Sequence, residues 1–301
     1  MERIYFKIGD NVPKLENGSL LLGYFDGVHK GHQELIRIAK ENSSFSSVLL
    51  FDTNIGTLLP ESKKDVRELT SLEDKLNIFE SFGIDRAYIV HTDLAFLALR
   101  KEKFIQKVLK PINPSLIVVG EDYTFGYKKE GTISFLKEYF PIISSPLLKD
   151  SFGKVSTRTI ISLIEKGDVK DANEELTYLY SLKGKVIHGL ENGRKIHYPT
   201  ANILLSNNYV IPKRGVYAGY VFLDSTKYQA IINIGNNPTV GKLKNDILEA
   251  HILNFNQDIY NKDIKVSFLD FIRDEKKFSS LEDLKIQLDY DRTYFERNNI
   301  E

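Results

Sequence analysis

The feature that most constrains this chain is a change of pattern near residue 180. Up to that point short apolar runs alternate with helix-periodic stretches. Leu20–Leu22 is followed by a helix from about Gly31, and Val48–Phe51 by a helix opening at Ser71. Ala87–Val90 and Leu116–Val119 continue the series, with a helix near Glu102–Leu109 between them. Two short helices, at Ser156–Lys166 and Val169–Leu176, close it. This alternation predicts βαβ units and a parallel sheet with helices on both faces. Ser71-Leu-Glu-Asp reads as an N-cap with acidic residues in the first turn. Beyond residue 180 nearly everything reads as strand: Ser181–His188, Ala201–Leu205, Gly215–Leu223, Tyr228–Ile234, Glu249–Leu253 and Lys265–Ile272. With one terminal helix over Leu281–Phe295, these strands predict a small antiparallel barrel. The expected domains are residues 1–180 and 181–301.

Charge and composition exclude several classes. Lys+Arg and Asp+Glu both number 41, so the basic excess that a general affinity for nucleic acid or anionic membrane requires is absent. With no cysteine there are no disulfides, thiolate nucleophiles or Cys-ligated metals. The apolar runs are strand-sized, too short for a membrane span, and the opening Met-Glu-Arg-Ile-Tyr-Phe-Lys has no apolar signal-peptide region. The expectation is a cytoplasmic protein without nucleic-acid or membrane partners, its homo-oligomeric state left open.

The first chemical motif is Gly23-Tyr-Phe-Asp-Gly-Val-His-Lys-Gly-His-Gln33, between the first of these strands and the helix after it. Glycines 23, 27 and 31 let backbone approach a ligand, and a helix N-terminus offers N–H groups to an anion. His29 and His32, three apart on a first turn, share a face and would both reach one phosphate oxygen. That suits charge developing on an α-phosphate as pyrophosphate leaves. Taken singly, the same residues also describe a Gly-rich turn with two surface histidines. No P-loop occurs anywhere in the chain.

His-x-Gly-His after the first of these strands resembles the adenylyl- and cytidylyltransferase superfamily. The longer string Gly-x-Phe-Asp-Gly-Val-His-x-Gly-His-Gln is similar to the bifunctional prokaryotic riboflavin kinase/FAD synthetases. The likeness continues through Val119-Gly-Glu-Asp-Tyr-Thr-Phe-Gly126 with Gly131, Lys154-Val-Ser-Thr, and Gly193-Arg-Lys-Ile-His-Tyr-Pro-Thr-Ala-Asn202. The resemblance implies a Rossmann-like nucleotidyltransferase domain followed by a riboflavin kinase barrel. For ATP it implies Gly23, Phe25, Asp26, Gly27, Gly31, Gly120, Asp122, Phe125, Ser156, Thr157 and Arg158 in the first domain. In the second it implies Gly193, Arg194, Lys195 and Pro199. Arg214, Gly215, Tyr217, Asn233 and Arg273 would line the flavin site, although a structural ion pair is the commoner fate of an arginine like Arg273. Thr200 and Asn202 carry hard oxygens acceptable to Mg²⁺ beside ATP phosphates, and the resemblance gives them that role. It also makes Glu249, at the start of its strand, the general base toward the ribityl 5′-hydroxyl. On its own, Glu249 reads equally as a solvated glutamate on an edge strand.

Departures from the family pattern concentrate in the first domain. Phe51-Asp-Thr-Asn-Ile55 stands where the family has Phe-x-Pro-His-Pro, and Tyr24 replaces a small polar residue. In Ser156-Thr-Arg-Thr-Ile-Ile161 the family's closing arginine is Ile161, with Arg158 a candidate replacement cation. His197 and Asn237 are milder departures in the second domain. The expected activity is Mg-ATP-dependent phosphorylation of riboflavin to FMN and adenylylation of FMN to FAD, with riboflavin, FMN and FAD as substrates or products. Two alternatives stand beside it: a riboflavin kinase with a vestigial transferase domain, and a non-catalytic flavin-binding protein.

Overall fold

The computed structural model describes residues 1–58, 66–150, 153–188, 200–236, 246–298 and 300. Six strands, β1 (Glu2–Phe6), β2 (Ser19–Leu22), β3 (Ser46–Phe51), β4 (Arg86–Val90), β5 (Leu116–Gly120) and β6 (Ile142–Ser145), form a sheet in the order β1-β4-β3-β2-β5-β6. Every pairing is parallel. The four inner strands are those the apolar runs predicted. The edge strands β1 and β6 escaped that reading because each is half-exposed and carries a mixed pattern.

Alternation along the strands fills both faces. Leu20, Leu22, Leu49, Val90, Ile117 and Val119 enter one core. Leu21, Val48, Leu50, Ala87, Ile89 and Val118 enter the other. Helix α1 (Lys30–Asn42) covers the second face with Leu35, Ile36 and Ala39, joined by Leu76 and Phe79 of α2 (Leu72–Ser81). Ser71 caps α2 as expected, in a full capping box: its hydroxyl accepts from Asp74 N while the Asp74 carboxylate accepts from Ser71 N. The expected helix near Glu102–Leu109 is instead a helical turn at Lys101–Phe104, a π turn at Ile105–Leu109 and a last turn at Lys110–Ile112. Pro111 has no N–H to donate and its ring crowds the carbonyl four residues back, which a widened turn accommodates.

In the second half, β7 (Ser181–Ile187), β8 (Ala201–Leu205), β9 (Gly215–Leu223), β10 (Thr226–Asn236), β11 (Asp246–Ile252) and β12 (Asp263–Arg273) close into a barrel. The order is β7-β8-β11-β10-β9-β12, antiparallel throughout. Glu249 therefore does not begin a strand. It lies inside β11, which is paired on both sides, so the edge-strand alternative is gone. Helices α3 (Thr157–Lys166) and α4 (Val169–Leu176) precede the barrel, and α5 (Leu281–Arg292) follows it. The expected terminal helix breaks at Thr293 before a short turn over Tyr294–Arg297.

The chain divides into two compact units, Met1–Thr159 and Ile160–Glu301. This division precedes the expected 180/181 boundary, and α3 and α4 each hydrogen-bond to residues of the barrel unit. Asn173 Nδ2 donates to Phe268 O (2.9 Å) and Lys213 N donates to Ile164 O (3.2 Å). No helix among the described residues is long and apolar enough to cross a membrane. Loss of the α2 cap is an accessible test of the first unit: Ser71→Ala should cost about 1 kcal/mol in its urea-unfolding transition.

Candidate active sites

In the first sheet the chain runs from β2 to β3 and β4 on one side, and β5 and β6 lie on the other. A parallel sheet opens a ligand crevice beyond the carboxyl ends of its strands where that direction reverses, here between β2 and β5. The first motif leaves β2 at this point. Phe25 (φ 55°) and Val28 (φ 38°) adopt left-handed backbone, as does Gly27 (φ 74°). The fully buried Phe25 ring packs edge-on against Phe79 and His32. A Cβ at Gly23 would lie 2.9 Å from that ring, so Phe25 builds the turn rather than facing a ligand.

Asp26 is likewise turned inward. Its buried carboxylate accepts from Leu69 N (3.0 Å), Thr70 N (3.0 Å) and Thr70 Oγ1 (3.1 Å), and Gly27 N donates to Thr70 Oγ1 (2.9 Å). Burial raises the Asp26 pKa, opposed by the positive charge of Lys75 and these hydrogen bonds. Thr157 Oγ1 donates to Asp26 O (3.2 Å), which ties the late Ser-Thr segment to the same turn. Ser156 Oγ caps α3 by accepting from Thr159 N (3.3 Å).

His29 and His32 meet as expected, their rings stacked 3.7 Å apart between centroids at 20°. Burial lowers the His29 pKa to about 4 and that of His32 well below its ordinary value, with neighbouring Lys154 adding to the first effect and His29 and Lys75 to the second. Both rings are thus neutral at pH 7 and act as hydrogen-bonding groups rather than cations. Nδ1 of each is buried without a hydrogen-bond partner among the described residues, leaving that capacity for a ligand. On the β5 side, Gly120 leads to Asp122, whose exposed carboxylate accepts from Lys154 Nζ (2.8 Å). Phe125 packs in the core against Phe104 and Tyr123, and its ring lies 2.6 Å from where a Cβ on Gly131 would sit. Arg158 is exposed on the first turn of α3.

Two lysines had no assigned role in the sequence. Lys154 had only its place in a recognised string. Lys75 occupies an apolar-spaced position in α2, a signal that was legible. It is 6% exposed, 3.4 Å from Glu68 Oε2 and 4.6 Å from the Tyr24 ring centroid.

In the barrel, strand register places Asn202, Glu249 and Asn233 in one row across β8, β11 and β10. Asn233 Nδ2 donates to Glu249 Oε2 at 3.5 Å. Burial raises the Glu249 pKa; the Asn233 hydrogen bond opposes this and the charge of Glu275 reinforces it. Thr200 is exposed just ahead of β8. Gly215 (φ 150°) is required where it stands, since a Cβ there would meet Phe271 at 2.6 Å and Arg273 O at 2.7 Å.

Two flavin-site expectations meet other uses. Tyr217 is fully buried, packed on Phe268 and Phe271, with its hydroxyl donating to Lys213 O. The Arg273 guanidinium donates through Nε and Nη2 to Asp291, at 2.7 Å for the shorter contact, so it pins α5 to β12. Asp291 is itself wholly buried. Arg214 is exposed beside Gly215. Gly193, Arg194, Lys195 and Pro199, with the departures at His197 and Asn237, lie outside the described residues.

Comparison with known proteins follows this two-site division. The FAD synthetase family model matches residues 12–148 and the riboflavin kinase (flavokinase) model residues 176–298. The bifunctional riboflavin kinase/FMN adenylyltransferase of Listeria monocytogenes is 35% identical over 91% of this chain and 90% of its own length. That of Escherichia coli K12 is 33% identical over 89% and 88%. A crystal structure described as a macrolide-efflux protein from Streptococcus pneumoniae is 33% identical, with TM-score 0.90 over 97% of this chain and 98% of that one. What this chain shares with it is the fold over the whole length. Two family models in the right order, and relatives matched nearly end to end, establish that the chain belongs to the bifunctional riboflavin kinase/FMN adenylyltransferase family.

Proposed function

We propose a division of labour for the riboflavin-to-FMN-to-FAD synthesis that this membership assigns to the chain. In the barrel, the carboxylate of Glu249 takes the proton of the riboflavin 5′-hydroxyl as its oxygen attacks the γ-phosphorus of ATP. The bond to the β-phosphate oxygen breaks and ADP leaves. The row of Asn202, Glu249 and Asn233 carries this reading: it sets a carboxylate, with its proton affinity raised by burial, between two amide side chains on neighbouring strands. The oxygens of Thr200 and Asn202 form a hard donor set beside that carboxylate and would hold Mg²⁺ with the ATP phosphates. When bound, the ion offsets charge on the transferred phosphoryl group.

In the α/β unit, a phosphate oxygen of FMN attacks the α-phosphorus of a second ATP, and pyrophosphate leaves as its bond to that phosphorus breaks. No protein nucleophile is involved. His29 and His32 donate hydrogen bonds from neutral rings to the α-phosphate oxygens, and the N-terminus of α1 adds its N–H groups. Lys154, close enough to His29 to depress its pKa, supplies the cation that Ile161 does not. Its partner Asp122 releases it when phosphate arrives.

Two experiments test this assignment. Glu249→Gln should lower FMN formation from riboflavin by roughly 10²-fold or more, while FAD formation from supplied FMN stays at the wild-type rate. Equal FMN yield would remove Glu249 as the base, and FMN without FAD from the wild type would leave a kinase alone.

The histidines make a stability prediction. A His29 pKa of about 4 in the folded chain, against 6.5 ordinarily, means the unfolded chain binds more protons between those values. Stability is then full above pH 6.5 and falls as the pH drops towards 4, by at most about 3 kcal/mol for this group. Unfolding curves collected from pH 7 to 4 should show this loss in the wild type and a flatter profile in His29→Gln. Parallel profiles would mean that His29 is not held neutral.

A further inference from the structure

Zero net charge is an average over the chain, and one stretch of the first unit departs from it. Residues 99–112 carry five basic side chains, Arg100, Lys101, Lys103, Lys107 and Lys110, against the single acidic Glu102. The helical turns that begin at Lys101 bury Phe104, Ile105, Val108, Leu109 and Ile112 in the core on the side of the sheet away from α1. Lys103, Gln106, Lys107 and Lys110 are left exposed, and at three- and four-residue spacing the three lysines share one face.

Like charges at this spacing destabilise a helix, and an ordinary solvated face relieves them with interleaved carboxylates. Helix α1 does so, with Arg37 between Glu34 and Glu41. Here Arg100 is paired, to Glu130 at 2.7 Å. Among the described residues no carboxylate lies within ion-pair distance of Lys101, Lys103, Lys107, Lys110 or Lys137, although Glu102 and Glu138 are exposed nearby in sequence. Lys103 Nζ instead donates to Gln106 Oε1 (3.2 Å).

Aromatic rings border this face. Lys101 Nζ stands 4.2 Å from the ring centroid of Phe135, and Lys110 Nζ 5.7 Å from that of Tyr139. The two rings are 5.4 Å apart, at 60°, and Tyr139 is 42% exposed. Lysines along the outside of a helix do not enclose a small anion, so their complement is an extended polyanion. The helix exposes no aliphatic side chain that would enter a lipid interface. Rings beside the cations suit unpaired bases, which stack on aromatic faces.

We propose that this face binds single-stranded nucleic acid, apart from the groups used in either flavin reaction. Phosphates lie along Lys103, Lys107 and Lys110, and a base stacks on Tyr139. The three lysines span about 10 Å of helix axis at about 1.5 Å per residue, the length of about three phosphates at about 3.4 Å each in a stacked strand. The balance of charge that argues against nucleic acid over the whole chain does not extend to this face.

The test uses the full chain and a short fluorescein-labelled oligouridine, read by fluorescence anisotropy. The wild type should bind with Kd between about 1 and 100 µM, and log K should fall against log salt with a slope of about −2, from three phosphates at about −0.7 each. Lys103→Gln/Lys107→Gln/Lys110→Gln should weaken binding at least roughly tenfold and flatten the slope to less than half. Tyr139→Ala should weaken it about tenfold with the slope unchanged. Both variants should keep the wild type's rates of flavin conversion, which also shows that they are folded. Absence of an anisotropy change in the wild type up to about 100 µM protein overturns the proposal, as does binding by the triple variant within twofold of wild type. Tyr139→Ala within twofold of wild type overturns the stacked base, and equal or tighter binding of a duplex of the same length overturns the preference for a single strand. Sedimentation of the protein with phosphatidylserine vesicles, without oligonucleotide binding, would assign the face to an anionic membrane surface instead and overturn the proposal.

Discussion

The turn that follows β2 depends on one buried carboxylate. Asp26 gathers two backbone N–H groups and a hydroxyl from Leu69 and Thr70, while its own carbonyl receives Thr157. Three segments far apart in sequence are joined through this single residue. The turn they stabilise holds Phe25 and Val28 in left-handed backbone, a conformation that costs roughly 1 kcal/mol or more per non-glycine residue and persists only when its surroundings over-determine it. What this achieves is placement: His29 becomes the residue before α1, and its ring can lie against that of His32 one turn later. Lys75 offsets the negative charge beneath the turn. Burial in the turn is the main reason both histidines stay neutral, with Lys154 adding to it at His29 and Lys75 at His32.

The barrel solves its problem by register. Asn202, Glu249 and Asn233 are scattered in sequence, but antiparallel pairing sets them opposite one another across three strands. No side-chain brace comparable to Asp26 is needed, because ladder hydrogen bonds fix the spacing. Closure of the barrel removes any edge beside β11, which is why Glu249 can be half-buried and still bonded. The glycine at 215 serves the same geometry, since β9 approaches Phe271 and Arg273 too closely for any side chain.

Much of this was legible in the sequence, and the limits have physical causes. Four inner strands, the α2 cap, the histidine pair and the barrel strands follow from periodicity and turn chemistry. The edge strands β1 and β6 do not, because a strand covered on one side only needs no continuous apolar run. Phe25, Asp26 and Tyr217 stand within recognisable motifs, yet a motif records that a residue type matters without saying whether it faces a ligand or the core. Phe25 and Tyr217 are fully buried, and Asp26 spends its oxygens on the backbone. Arg273 took the commoner course for such an arginine, an ion pair with Asp291 that joins two elements eighteen residues apart. Lys154 could be found only in three dimensions, since neither its spacing nor its neighbours mark it as facing His29.

The loss of an arginine at position 161 bears on the chemistry only if charge must come from that position. Side chain 161 lies more than one turn into α3, whereas Lys154 precedes the helix, next to the backbone that binds the turn through Thr157. On the proposed reading a cation there meets the same phosphates from the β5 side, and in the structure it is paired with Asp122. An exposed ion pair of this kind contributes at most about 1 kcal/mol, so exchanging the carboxylate for a polyphosphate is easily driven by the ligand's greater charge. The pairing keeps Lys154 near the crevice without holding it there. On the proposed reading, charge at this site depends on where the cation stands when ATP enters, so isoleucine at position 161 is compatible with phosphate binding there.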